Sequence, residues 1–148
     1  MVFSPEAVIR VEKKKREKEY EEISNSPHSP FRDMLFKDIF LVAMVIGYHR
    51  GIRSPLKGPH HDLFRASVLN SNEEWLIKSI AIAEKGDLDV LLNEKEVLKI
   101  AEEYANAGIL VLYDIIFGGT PGNPLKRIEA EAMEVIHTIS QSEEDEQG

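Results

Sequence analysis

The sequence predicts an all-α fold, a single compact domain of about five helices built around one central apolar helix at residues 36–47. Three observations predict it. Residues 39–46 are eight successive apolar side chains with no polar face to offer water, so other elements must wrap them. The β-branched Val42, Val45 and Ile46 suit a strand as well. However, Phe31, Leu35, Ile39, Val42 and Ile46 extend the pattern at spacings of four, four, three and four, which is helical, and Gly47 stands where a helix would be capped. The second observation is that later stretches repeat their apolar residues every three or four positions. The third is size: 148 residues, 43% hydrophobic and 30% charged, suit one domain with a real core.

Taken in order, residues 6–23 read as a charged N-terminal helix, with Ser4 as N-cap and Pro5 at the first helical position. Glu12 with Arg16, Lys15 with Glu19 and Lys18 with Glu22 sit four apart, as paired charges on a helix do. The run Lys13–Arg16 reads as a solvated face, or alternatively as a phosphate-binding patch. Residues 1–23 thus form a unit set off from a helical core at residues 30–140, and the Pro-rich SNSPHSP links them. Ser29 and Pro30 signal entry into the central helix. Asp38 falls in its first turns, either exposed or as a semi-buried acid.

Beyond the apolar run the character changes. Residues 48–65 hold Arg50, Arg53, Lys57 and Arg65 against Asp62 alone, and Gly51, Pro55, Gly58 and Pro59 make the segment a loop. Short extended pieces are expected at Ile52 and around Leu63 and Phe64. A cationic loop on an acidic body concentrates an anionic partner locally. Arg50, Arg53, Lys57, His60, His61 and Arg65 are therefore the candidate binding residues.

Asn70, Ser71 and Asn72 then cap a helix whose first turn carries Glu73 and Glu74 and which stops at Gly86. Its Trp75 is expected half buried against the central helix. Leu88, Val90, Leu91 and Leu92 should plug the core from a short link. Glu94 opens the longest helix, with Ala101, Ala105 and Gly108 forming a small-residue face. Gly108 costs up to about 1 kcal/mol in a helix interior, so either close packing offsets it or the helix breaks there. GGTPGN is a turn, and Asn123 and Pro124 begin a last helix. Its seam Leu125, Ile128, Ala132, Val135 and Ile139 suits intramolecular packing or a homodimer contact. Residues 141–148 read as a disordered acidic tail.

Composition narrows the chemistry. With no cysteine, disulfides, thiolate metal sites and a cysteine nucleophile are excluded. The N-terminus lacks a signal peptide's apolar region and no run is long enough to span a bilayer, so the chain is expected in the cytoplasm. The net charge of −8 argues against general, charge-driven nucleic-acid binding without excluding a local basic patch. His60, His61 and Asp62 lack the spacing of a helical metal site, and Glu102 beside Glu103 cannot face one substrate together. No dinucleotide-binding glycine pattern, Walker motif or Gly-x-Ser-x-Gly elbow is present. No catalytic, cofactor or metal residue is singled out, and the sequence favours a non-catalytic protein over an enzyme.

Three pieces together carry a resemblance: SPFRDMLFKDIFLVAMVIGYHRGIR, IAIAEKGDLDVL and IAEEYANAGILVL. In order and spacing they resemble the Dnd system-associated protein 4 family, small proteins found beside DNA phosphorothioation loci. The specific elements are Asp38, Phe40, Ala43, Gly47, Gly51 and Arg53 in one run and Glu103, Tyr104, Asn106 and Gly108 in the other. Ala107 stands where the family pattern usually has a glycine. The resemblance implies an accessory or regulatory factor of a modification or antiviral defence system, working through other proteins of that system and with no catalytic residue carried over. Two further readings are a DNA-binding module or transcriptional regulator that contacts phosphates through the cationic loop, and a small hydrolase or nuclease using Asp38 or the histidine pair.

Overall fold

The chain enters the fold as a strand where the charge pattern suggested a helix. In the computed structural model, which describes residues 3–118 together with Ala132, Met133, Val135 and His137, β1 (Val8–Glu12) pairs antiparallel with β2 (His60–Arg65). Val8 faces Arg65 and Glu12 faces His60. The register skips between Ile9 and Arg10, which leaves Leu63 as the bulged residue. Three of the five residues of β1 are β-branched, and Ile9 and Val11 turn inward while Arg10 faces out, a period-two pattern too short to stand out beside the charged run that follows. The fold is therefore mostly helical with a small two-stranded sheet, and not all-α.

Helical structure begins at Lys13 and runs through residues 13–25 (α1), with a π turn over Arg16–Tyr20. In place of the expected pairs Glu12–Arg16, Lys15–Glu19 and Lys18–Glu22, Lys13 meets Glu17 at 3.9 Å, Lys15 turns back to Glu12 at 3.7 Å and Arg16 meets Glu21 at 3.4 Å. Tyr20 and Ile23 are fully buried, and the Tyr20 ring meets Phe36 edge-on at 6.1 Å. The N-terminal segment thus contributes to the core.

The central helix α2 spans Phe36–Arg50 and is covered along most of its apolar run, with Val42 and Val45 only partly buried. Ile39, Phe40, Ala43 and Met44 are completely buried, and Phe40 meets Phe64 of β2 at 5.5 Å. The helix is longer than its apolar run. Gly47 lies inside it, and Gly51, at φ 67°, is the left-handed cap. Asp38 is half-buried in the first turn.

α3 (Ser71–Lys85) starts at the expected signal: the Asn70 side chain accepts from the Glu73 N–H, and Glu73 accepts from the Asn70 N–H, a reciprocal capping box. Gly86 ends it in the left-handed conformation. The following 3-10 turn, Leu88–Leu92, buries Val90 and packs Leu91 against the core, but Leu88 and Leu92 are 67% and 82% exposed, so only two of the four expected side chains plug the core. A turn of this tightness and length has too little inward surface for four large side chains. Trp75 is 54% exposed and lies over the Lys78 ammonium.

α4 (Glu94–Phe117) runs unbroken through Gly108 and makes with α2 the most extensive contact of the fold. Apart from Ala132, Met133, Val135 and the exposed His137, the last helix of the sequence reading, with its dimer seam and the acidic tail, lies outside the described residues. Among the described residues no helix is long and apolar enough to cross a membrane.

Candidate functional site

Where α2 crosses α4 there is no room for side chains on either helix. A Cβ on Gly108 would stand 1.8 Å from the Ala43 carbonyl oxygen, and one on Gly47 would stand 2.2 Å from the Tyr104 carbonyl oxygen. The backbones therefore touch. This close packing is what offsets the conformational cost of a glycine in mid-helix. Gly51 then reverses the chain into the loop of residues 52–59, and α4 takes hold of that loop directly.

The first hold is at Arg53. Its Nε donates to Glu103 Oε1 at 2.9 Å and its terminal nitrogen to Glu84 Oε1 at 2.8 Å, while the guanidinium lies over the Tyr104 ring. Tyr104 donates its hydroxyl to Glu84 and packs edge-on against Tyr48. Burial works against the Arg53 charge, but hydrogen bonds to the two carboxylates outweigh it and raise its pKa. Glu84 is lowered, first by the Tyr104 hydroxyl and then by Arg53. Burial, together with the Glu84 hydrogen bond and charge, pushes the Tyr104 hydroxyl up to about 12. The Ser54 N–H completes this hold by donating to the Glu103 carbonyl oxygen at 3.1 Å.

The second hold is a buried polar node. Asn106 uses its amide nitrogen to donate to Glu12 Oε2 at 2.8 Å and to the Ser54 and Pro55 carbonyls at 3.2 and 3.3 Å. Its side-chain and main-chain oxygens accept from the Lys15 ammonium at 2.9 and 2.8 Å. Glu12 also accepts from the Lys57 N–H at 3.1 Å. Burial opposes the Glu12 charge, yet these donors and the Lys15 cation prevail and hold its pKa below the usual value. Burial in turn lowers Lys15 against the pull of Glu12 and Glu19. One amide thus joins the end of β1, the start of α1, the loop and α4, and every polar atom it buries is paired.

A family model, DNA sulphur modification system-associated protein 4, matches residues 9–147. The chain belongs to that family. No match was found among curated proteins or among solved structures. In this sulphur modification system-associated protein, the residues that carried the sequence resemblance are largely contacts of one another. Ala43 and Gly47 meet Gly108 and Tyr104, Gly51 makes the turn, and Arg53 pairs with Glu103. The pattern therefore encodes a helix crossing and a strapped loop. Sequence reasoning missed Glu12, Lys15 and Asn106 in this arrangement. The available signal was Asn106 itself, an amide in the apolar face of a long helix, which cannot stay buried without partners.

The six candidate binding residues do not share one fate. Arg53 is committed to Glu84 and Glu103, with its side chain 23% exposed. Arg50 is exposed in the last turn of α2 and has a partner of its own. Lys57 is exposed on the strapped loop; His60 and the half-buried His61 belong to β2 opposite Glu12 and Val11; Arg65 ends that strand opposite Val8. Among the described residues no group of three or more His, Asp or Glu is placed to hold a metal ion.

A second surface lies beside α3, around Trp75 and Lys78. Phe3, Lys78, Leu91, Leu92 and Val97 line a cleft of about 330 Å³. The Lys78 ammonium is sandwiched at its wall between the rings of Phe3 and Trp75, at 5.0 and 5.3 Å. Exposed Leu92 lines the cleft together with Ser4 and Glu94, and the buried Lys78, with exposed Trp75 over it, also has Glu74 Oε2 at 3.8 Å.

Proposed function

We propose that this protein is a non-catalytic accessory factor of a DNA sulphur modification system, acting in the cytoplasm by binding other proteins of that system. Membership of the family supports the setting. The observation that carries the binding role is the face around Trp75. Leu92, 82% exposed, lines a preformed cleft, Trp75, 54% exposed, lies over the Lys78 ammonium that also lines it, and tryptophan is among the side chains that dominate the energy of protein contacts. The family pattern points the same way, because its Arg53 is held by Glu84 and Glu103 instead of facing a substrate.

Co-expression with each protein encoded beside it at the modification locus, followed by size-exclusion chromatography, tests the reading. A stable complex is expected with at least one of them, and Trp75→Asp with Leu92→Asp should lose it while retaining the native melting profile. A complex that survives both substitutions, or none formed with any neighbour, refutes the proposal.

A further inference from the structure

Two basic segments that lie far apart in the sequence meet at one end of the sheet. Glu12 stands opposite His60, the Lys13 N–H donates to the Pro59 carbonyl oxygen at 2.9 Å, and the Lys57 N–H donates to Glu12 at 3.1 Å. Lys13, Lys14, Lys57 and His60 are all exposed. Lys15 turns inward between them, near enough to Lys57 for their charges to repel. The acids near this end offset the patch only in part. Glu12 is taken by Lys15 and Asn106, the buried Glu19 acts on the inward Lys15, Asp62 pairs with Arg10 at 3.5 Å, and Glu17 meets Lys13 only at 3.9 Å with both side chains more than half exposed, a pair that water and salt reduce to little.

We propose that this end of the sheet, through Lys13, Lys14 and Lys57 with His60 beside them, is a contact surface for the phosphate backbone of duplex DNA. It goes beyond the protein-binding role and uses different residues. Three features select the partner. The chain carries a net charge of −8, so exposed cations gathered at one place form a local field of opposite sign, which draws a polyanion to that place alone. None of the exposed large hydrophobic side chains among the described residues falls within residues 10–16 or 57–61. An acidic peptide would need such anchors, whereas a phosphate backbone binds through charge and counterion release. Finally, the backbone at Lys13 and Lys57 is fixed by hydrogen bonds, so the stems that carry the two ammonium groups spring from neighbouring, fixed points. Lysines on a rigid frame, with no exposed aromatic beside them, position a duplex without reading its bases.

The test is fluorescence anisotropy of a fluorescein-labelled duplex of mixed sequence, titrated with the full-length chain across a series of salt concentrations. Three phosphate contacts predict a slope of about −3 in log affinity against log salt, at about −0.9 per contact. Lys13→Gln, Lys14→Gln and Lys57→Gln should each weaken binding and reduce the steepness by about one. The triple variant should lose binding, and Lys99→Gln, an exposed lysine of α4, should leave it unchanged. All these side chains are exposed, and the single variants stand as the test should the triple one fold poorly. No binding at the lowest salt, binding untouched by the substitutions, or binding of a polyglutamate peptide in place of the duplex overturns the proposal. None of these outcomes bears on the complex tested through Trp75 and Leu92.

Discussion

Replacing Gly108 by alanine reverses the usual sign of that substitution. In an ordinary helix interior the change stabilises by about 1 kcal/mol, through propensity alone. Here the added methyl group would sit 1.8 Å from the Ala43 oxygen, 2.8 Å from the Ala43 carbonyl carbon and 2.8 Å from the Gly47 nitrogen. All three are backbone atoms, so no side chain can swing aside. Relief requires α2 and α4 to separate by about 1.5 Å, which thins the contact on which the core rests. Overpacking a filled core costs about 1–3 kcal/mol and more where backbones collide, so a net loss of about 2–4 kcal/mol is expected after the propensity gain. For a chain of this size that lowers Tm by about 5–15 °C. Urea unfolding followed by Trp75 fluorescence and by circular dichroism measures it. Gly86→Ala is the control: at φ 69° with nothing within 4 Å of the new Cβ, it carries backbone strain alone and should cost only about 1 kcal/mol. A Gly108→Ala protein as stable as the parent, or more so, would refute the close-approach argument.

The other predictions test the polar interior. Asn106→Ala should destabilise by about 2–3 kcal/mol, because it strips partners from Glu12 and Lys15 as well as from the loop carbonyls; hydrogen exchange should quicken at residues 54–57, and unchanged exchange there contradicts the strapping role. Tyr20 buries its hydroxyl with no hydrogen-bond partner among the described residues, so Tyr20→Phe should be neutral or stabilising in a urea melt; a loss above about 1 kcal/mol would mean that the hydroxyl is satisfied. Glu102 is half-buried, accepts from the Arg10 N–H at 2.5 Å, and burial pushes its carboxyl up to about 7. Because the folded pKa lies above the unfolded one, the stability this group allows is full below about pH 4.3 and is lost as pH rises through 7. Glu102→Gln should therefore match the parent at pH 4 and exceed it by up to about 3 kcal/mol at pH 8; a constant difference across that range would show that Glu102 titrates normally.

What was legible in the sequence was whatever a local stretch decides by itself. The eight-residue apolar run, once its upstream spacing marked it as helical, had to be covered by other elements, the Asn70–Asn72 cluster with Glu73 marked the start of α3, and Gly86 marked its end, because each signal is complete within a few residues. Family membership was legible too, since its pattern is a string of spacings. Tertiary contact decided the rest. β1 exists because β2 lies beside it, and a five-residue alternation next to a run of lysines cannot announce a partner so far along the chain. Gly47 is a contact and not a cap, because what it needs to meet is Tyr104 on another helix. Charge signs along the loop could be counted in sequence, but which cations remain available could not. Arg53 is consumed by acids from α3 and α4, while Lys57 is joined by lysines from the N-terminus, and both outcomes depend on through-space distances that the linear order does not contain.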